Sequence, residues 1–189
     1  KLWELNKNIN GSYLEKTKQK TNKITLAELR KRWMYYRENA TVINNEYLLM
    51  TGLYIWIPPL RNDYIFAKII PKKNDIILHF DNLSKIDNKL TLKVPDILLE
   101  YIHLLPVIQG KSKLRKNPNK FFSDLIHSAF KTVCKSELTI SELRSIYITS
   151  EGLSSSTARK MNHSLDIADR VYNRPSHNIL DTDDFELKL

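Results

Sequence analysis

Residues 143–173, LRSIYITSEGLSSSTARKMNHSLDIADRVYN, gather three side chains suited to work on a phosphate: Arg144, His163 and, nine residues after the histidine, Tyr172. A planar guanidinium can grip two oxygens of one anion. An imidazole can donate a hydrogen bond or a proton near neutral pH, and a phenol oxygen can act as a nucleophile. A second arginine, Arg61, follows the apolar run TGLYIWIPPL. Set between two apolar runs, it requires paired acceptors if buried, either from Asp63 or from a bound phosphate. By spacing alone, an ion pair with Asp63 and a grip on phosphate weigh evenly. Lys85 and Lys89 lie in the polar stretch DNLSKIDNK near its turn, where a long cationic side chain could reach into a groove.

The chain has 189 residues, 42% of them apolar, enough for one domain with its own core. Thirty basic against 21 acidic side chains give a formal charge of +9. That excess favours a polyanion or an anionic membrane as partner, against the plainer reading of a solubilising surface. Cys134 stands alone, so no internal disulfide can form and a reducing, intracellular compartment is expected. Five scattered histidines and no cysteine pair suggest no metal site, and no cofactor motif is present. The sequence has no signal peptide and no apolar run long enough to span a membrane, so no membrane partner is expected. The opening Lys1 suggests a fragment of a longer protein. The abundance of Lys and Asn hints at an AT-rich genome, such as that of a virus or mobile element.

Residues 1–24, with Lys16, Lys18, Lys20 and Lys23, read as a basic lead-in that could track a DNA backbone or serve as a solvated linker. Thr25 with Glu28 forms a capping-box signature, predicting a helix over 26–39 with Leu26, Leu29, Trp33 and Tyr36 on one face. An apolar, buried helix should follow over about 44–56, ended by Pro58 and Pro59. From 74 the period changes. Runs 76–80 and 90–94 predict a hairpin or small three-stranded sheet, with Asp87 and Asn88 at its turn. Pro95 should open a helix over 96–105. Residues 106–120 contain a Gly and a Pro among Lys111, Lys113, Arg115, Lys116 and Lys120, and read as an exposed, backbone-contacting loop. An amphipathic helix is predicted over 121–134, with His127 off its apolar stripe. Thr139 and Glu142 repeat the capping box, so Arg144 and Tyr147 should lie in the first two turns of a helix, where free N–H groups favour a phosphate. A polar turn, a short helix and a last helical segment over 166–172 complete the pattern. Residues 176–189 form an acidic tail with Phe185, Leu187 and Leu189, suited to docking on a neighbouring protein surface.

The segments RSIYIT and NHSLDIADRVY, with Arg61 after a buried helix, a hairpin Lys85 and the nine-residue step from His163 to Tyr172, resemble the catalytic domain of tyrosine recombinases, the integrase family. The likeness covers roughly 25–175. It implies a mainly α fold with a small antiparallel β-sheet, acting on double-stranded DNA as a homo-oligomer, a tetramer that exchanges C-terminal tails. It further implies that Tyr172 attacks the scissile phosphodiester to give a 3′-phosphotyrosine, while Arg61 and Arg144 stabilise the pentacoordinate transition state. Lys85 would protonate the leaving 5′-oxygen, with Lys89 its rival, and His163 would hydrogen-bond the phosphate. No metal is implied.

The chain departs from the family at several points. Ser141 stands where the family places a histidine, three residues before Arg144, and a hydroxyl can only relay or orient a proton. Tyr64 holds the usual acidic position after the first arginine, with Asp63 one place away. Asn162 replaces the glycine before the histidine. Arg144 and His163 are closely spaced, and the family's N-terminal clamping domain is missing. Two other functions use the same residues: a type IB topoisomerase relaxing DNA as a monomer, and a DNA-binding module that has lost activity. The plain structural alternative has Arg61 in an ion pair, Arg144 and Lys85 on the surface, and His163 and Tyr172 in the core.

Overall fold

The computed structural model describes residues 24–73, 75–81, 89–152 and 154–161. These are mainly helical and carry one small antiparallel sheet. Helix α1 (Leu26–Asn39) begins where the Thr25 hydroxyl accepts from the Glu28 amide at 3.2 Å. Helix α2 (Asn45–Ile55) is capped by Asn44 and is buried from Leu48 to Ile55, as its unbroken apolar sequence predicts. It forms the axis of the core, packing against α1 and, further along, against α4 (Pro118–Val133). Trp33 of α1 sits at this junction. Its indole donates to the Leu48 carbonyl at 2.9 Å, and its ring meets Trp56 and Tyr101 edge-on. Gly52 lets Leu98 close in on α2: a Cβ there would lie 2.4 Å from Leu98 Cδ2.

Three strands follow: β1 (Lys68–Lys72), β2 (Asp75–Phe80) and β3 (Leu90–Lys93), in the order β1-β2-β3. Lys68 pairs with His79 on one side of β2, and Ile77 pairs with Lys93 on the other. The sequence pattern missed β1, because Pro71 interrupts it. Pro71 is tolerated because β1 is an edge strand, where a missing N–H need not break the ladder.

Two expectations need correction. Residues 96–105 do not form one helix. They make two 3-10 turns, Asp96–Leu98 and Ile102–Leu104, and the α-helix begins only at Leu105. Pro106 lies in the first turn of that helix, where its missing N–H is harmless, but it cannot donate back to a helix arriving from 96. Nor are residues 106–120 a loop. Helix α3 (Leu105–Lys113) takes the first part, burying Leu105, Ile108 and Ser112, and Pro118 starts α4. Gly110 is tolerated inside α3 with open space around it, so the exposed link shrinks to 114–117. Helix α5 (Ile140–Glu151) carries the complete capping box at Thr139 and Glu142, and a short α6 (Ser155–Lys160) follows.

Candidate functional site

Arg61 leaves α2 through the Pro58–Pro59 corner, and two buried tyrosines fasten that corner. The Tyr54 hydroxyl donates to the Arg61 carbonyl at 2.7 Å. The Tyr64 hydroxyl donates to the carbonyls of Leu53 and Pro58 at 2.9 and 3.1 Å. The two rings meet edge-on with centroids 5.4 Å apart. From outside, Gln109 of α3 donates to the carbonyls of Tyr64 and Ala67, and Asn62 donates to Asn119 and Ser123 of α4. Two helices and two phenols therefore fix the backbone at Arg61, while its side chain stays half-buried. Asp63 is buried in the 3-10 turn Asp63–Phe66.

Arg144 lies on α5 and is 1% exposed. Its Nη2 donates to the Met161 carbonyl at 2.6 Å, just beyond α6. Arg144 falls within the first two turns of α5, as the capping box at Thr139 and Glu142 predicts, but it is buried there. Its position four residues from both Ile140 and Ile148, apolar neighbours on one helical face, was the signal for burial. Burial pushes the Tyr54 and Tyr64 phenols well above their ordinary range, with Asp63 adding to the shift and the positive charge of Arg144 opposing it. Arg144 and the Arg61–Asp63 segment thus act on the same pair of phenols, although 83 residues separate the two arginines.

Arg30, which the sequence reading did not single out, ties the ends of three helices together. It donates to the Ile55 carbonyl at 2.8 Å, pairs with Glu151 at 3.3 Å and stacks over Trp56. Beside it, burial and Glu151 push the Tyr147 phenol up to about 12. The bracing roles of the Tyr54 and Tyr64 hydroxyls, and that of the Met161 carbonyl, are not legible in the sequence, because a phenol in an apolar run looks like any core aromatic.

Ser141 is exposed in the first turn of α5, and Lys89 is exposed just before β3. Lys111 pairs with Glu46 at 2.5 Å, Lys120 with Asp124 at 2.9 Å, and Arg115 stacks on Phe121; Lys113 and Lys116 are exposed. The basic run is therefore split between helix ends rather than strung along one loop. Tyr172, His163, Lys85, Lys16, Lys18, Lys20 and Lys23 lie outside the described residues, as do the acidic tail and the expected turn at Asp87 and Asn88. Among the described residues no cluster of His, Cys, Asp or Glu could hold a metal ion, and no helix is long and apolar enough to cross a membrane. No family model, curated protein or solved structure matches the chain.

Proposed function

We propose that the chain is a DNA-processing domain that grips a phosphodiester with arginines and breaks it by nucleophilic attack. The particular kind is a tyrosine recombinase or integrase catalytic domain. What carries the reading is the braced backbone at Arg61, together with a second arginine buried on α5 and a small antiparallel sheet, in a strongly basic chain. Two guanidinium groups held by a rigid scaffold suit a transition state in which charge grows on phosphate oxygens.

Tyr172 loses its phenol proton to solvent and attacks phosphorus, a 3′-phosphotyrosine bond forms as the bond to the 5′-oxygen breaks, and Lys85 supplies that oxygen with its proton. Arg61 and Arg144 neutralise the non-bridging oxygens, and His163 donates to one of them. The Met161 carbonyl is the acceptor that a phosphate oxygen replaces at Arg144. Rejoining reverses the step when a 5′-hydroxyl attacks the phosphotyrosine. Pairing of subunits through the acidic tail distinguishes this reading from monomeric, topoisomerase-like relaxation.

Ser141 favours a second reading, an inactive DNA-binding module, because an exposed serine is no base for the tyrosine proton. Arg61→Gln separates the two. An active domain keeps duplex binding within about threefold and loses roughly a hundredfold or more in cleavage rate, the usual effect of removing one transition-state donor. Duplex binding without cleavage, even in the unmutated chain, supports the inactive module.

A further inference from the structure

The 3-10 turn Asp63–Phe66 continues from the Arg61 corner into β1, and an open cleft of about 550 Å³ lies beside it. Its size is in the range of about 300–1,000 Å³ typical of small-molecule sites. Phe66 lines the cleft and is 65% exposed, so its ring is accessible to a ligand. Lys68 and Lys113 bring two cations to the rim, one from β1 and one from the end of α3.

Two acceptors complete the lining. Gln109 spends its Nε2 on the carbonyls of Tyr64 and Ala67, so the carboxamide oxygen is what it can offer a ligand. Asp81 bonds Lys68 and the His79 ring, and these two partners hold its carboxyl below the ordinary carboxylate range. The chemistry is thus a flat aromatic shelf, cations for a phosphate, and acceptors for an amino group.

We propose that this cleft binds one unpaired, amino-bearing nucleotide of a DNA strand. Phe66 stacks on the base, Lys113 and Lys68 hold the adjoining phosphate, and Gln109 and Asp81 accept from the exocyclic amine. Adenine, cytosine and guanine carry an exocyclic amine and thymine does not, so the site discriminates against thymine. The inference rests on nucleic acid being the partner and needs none of the cleavage chemistry.

Phe66→Trp keeps the shelf and makes it fluorescent. Titrating this variant of the full chain with a single strand of deoxyadenosines should quench fluorescence beyond that of the unmutated chain, whose Trp3, Trp33 and Trp56 set the background, and an oligothymidine of equal length should bind several-fold more weakly. Lys113→Glu in the same background should weaken the adenine strand. Phe66→Ala, read by anisotropy of a labelled strand, should weaken binding roughly 5- to 100-fold, the range expected for one lost base stack. Its urea midpoint should stay unchanged, because the ring is mostly exposed. An unquenched tryptophan, equal quenching by an abasic strand, or equal quenching by a polyglutamate peptide would overturn the proposal. A chain that binds in this way but forms no covalent adduct refutes strand cleavage and leaves the cleft standing.

Discussion

Tyr64→Phe removes one oxygen atom from the brace beneath Arg61 and leaves the ring in place. The ring contacts with Tyr54 at 5.4 Å and Phe80 at 6.0 Å survive, so no cavity opens. What disappears is the hydroxyl donated to the Leu53 and Pro58 carbonyls. Pro58 is half-buried and can recover a partner from water; Leu53 is buried and has less access. A typical net hydrogen bond contributes about 1 kcal/mol, and a buried acceptor stripped of its donor costs about 1–3 kcal/mol. We therefore expect a loss of about 1–2 kcal/mol, read as a lower urea midpoint at unchanged slope. Tyr35→Phe, on an exposed ring of α1, is the control and should stay within about 0.5 kcal/mol. DNA cleavage should fall further than duplex binding, because the loosened corner carries Arg61. A Tyr64→Phe variant as stable as the unmutated chain would refute the claim that this hydroxyl fastens the corner.

Other expectations follow from the same contacts. Thr139→Ala removes the hydroxyl half of the α5 capping box, leaving the backbone N–H of residue 139 on Glu142, and should cost about 0.5–2 kcal/mol in urea unfolding. Gly52→Ala should destabilise, since overpacking against Leu98 costs about 1–3 kcal/mol while the gain in helix propensity is about 1 kcal/mol. Adding Leu98→Ala should make the Gly52→Ala step favourable, which a double-mutant cycle would detect. Burial pushes the Cys134 thiol from an ordinary 9.0 up to about 12, and Tyr147 rises from 10.0 to about 12. Both folded values lie above the unfolded ones, so their contribution is intact below pH 9 and is lost as pH rises towards 12. The urea midpoint should fall between pH 9 and pH 11, and Cys134→Ala should remove the first part of that fall.

The sequence made the helical scaffold legible where local chemistry agreed with packing. Thr25 and Thr139 mark helix starts by side-chain capping, and the apolar run through Leu53 can only be buried. It misled where punctuation residues were tolerated for tertiary reasons. Pro71 sits on a sheet edge, Gly110 sits inside a helix held by Ile108 and Ser112, and Pro106 starts a helix rather than interrupting one. Arg61 stood out because an arginine at the end of an apolar run needs a reason. The depth of Arg144 depended on packing between α5 and the segment ending at Met161, a long-range fact that periodicity only hinted at. The opposing influence of Asp63 and Arg144 on the same two phenols was invisible because only the fold brings residues so far apart in sequence to bear on one pair.

The most direct test of the proposed chemistry is covalent trapping on nicked DNA duplexes, comparing the unmutated full chain with Tyr172→Phe. Strand cleavage by Tyr172 predicts a protein–DNA adduct that survives denaturation, maps to the peptide containing Tyr172, and is absent from the phenylalanine variant. An adduct of equal yield in Tyr172→Phe, or tight duplex binding with no adduct on any nicked substrate, would contradict it.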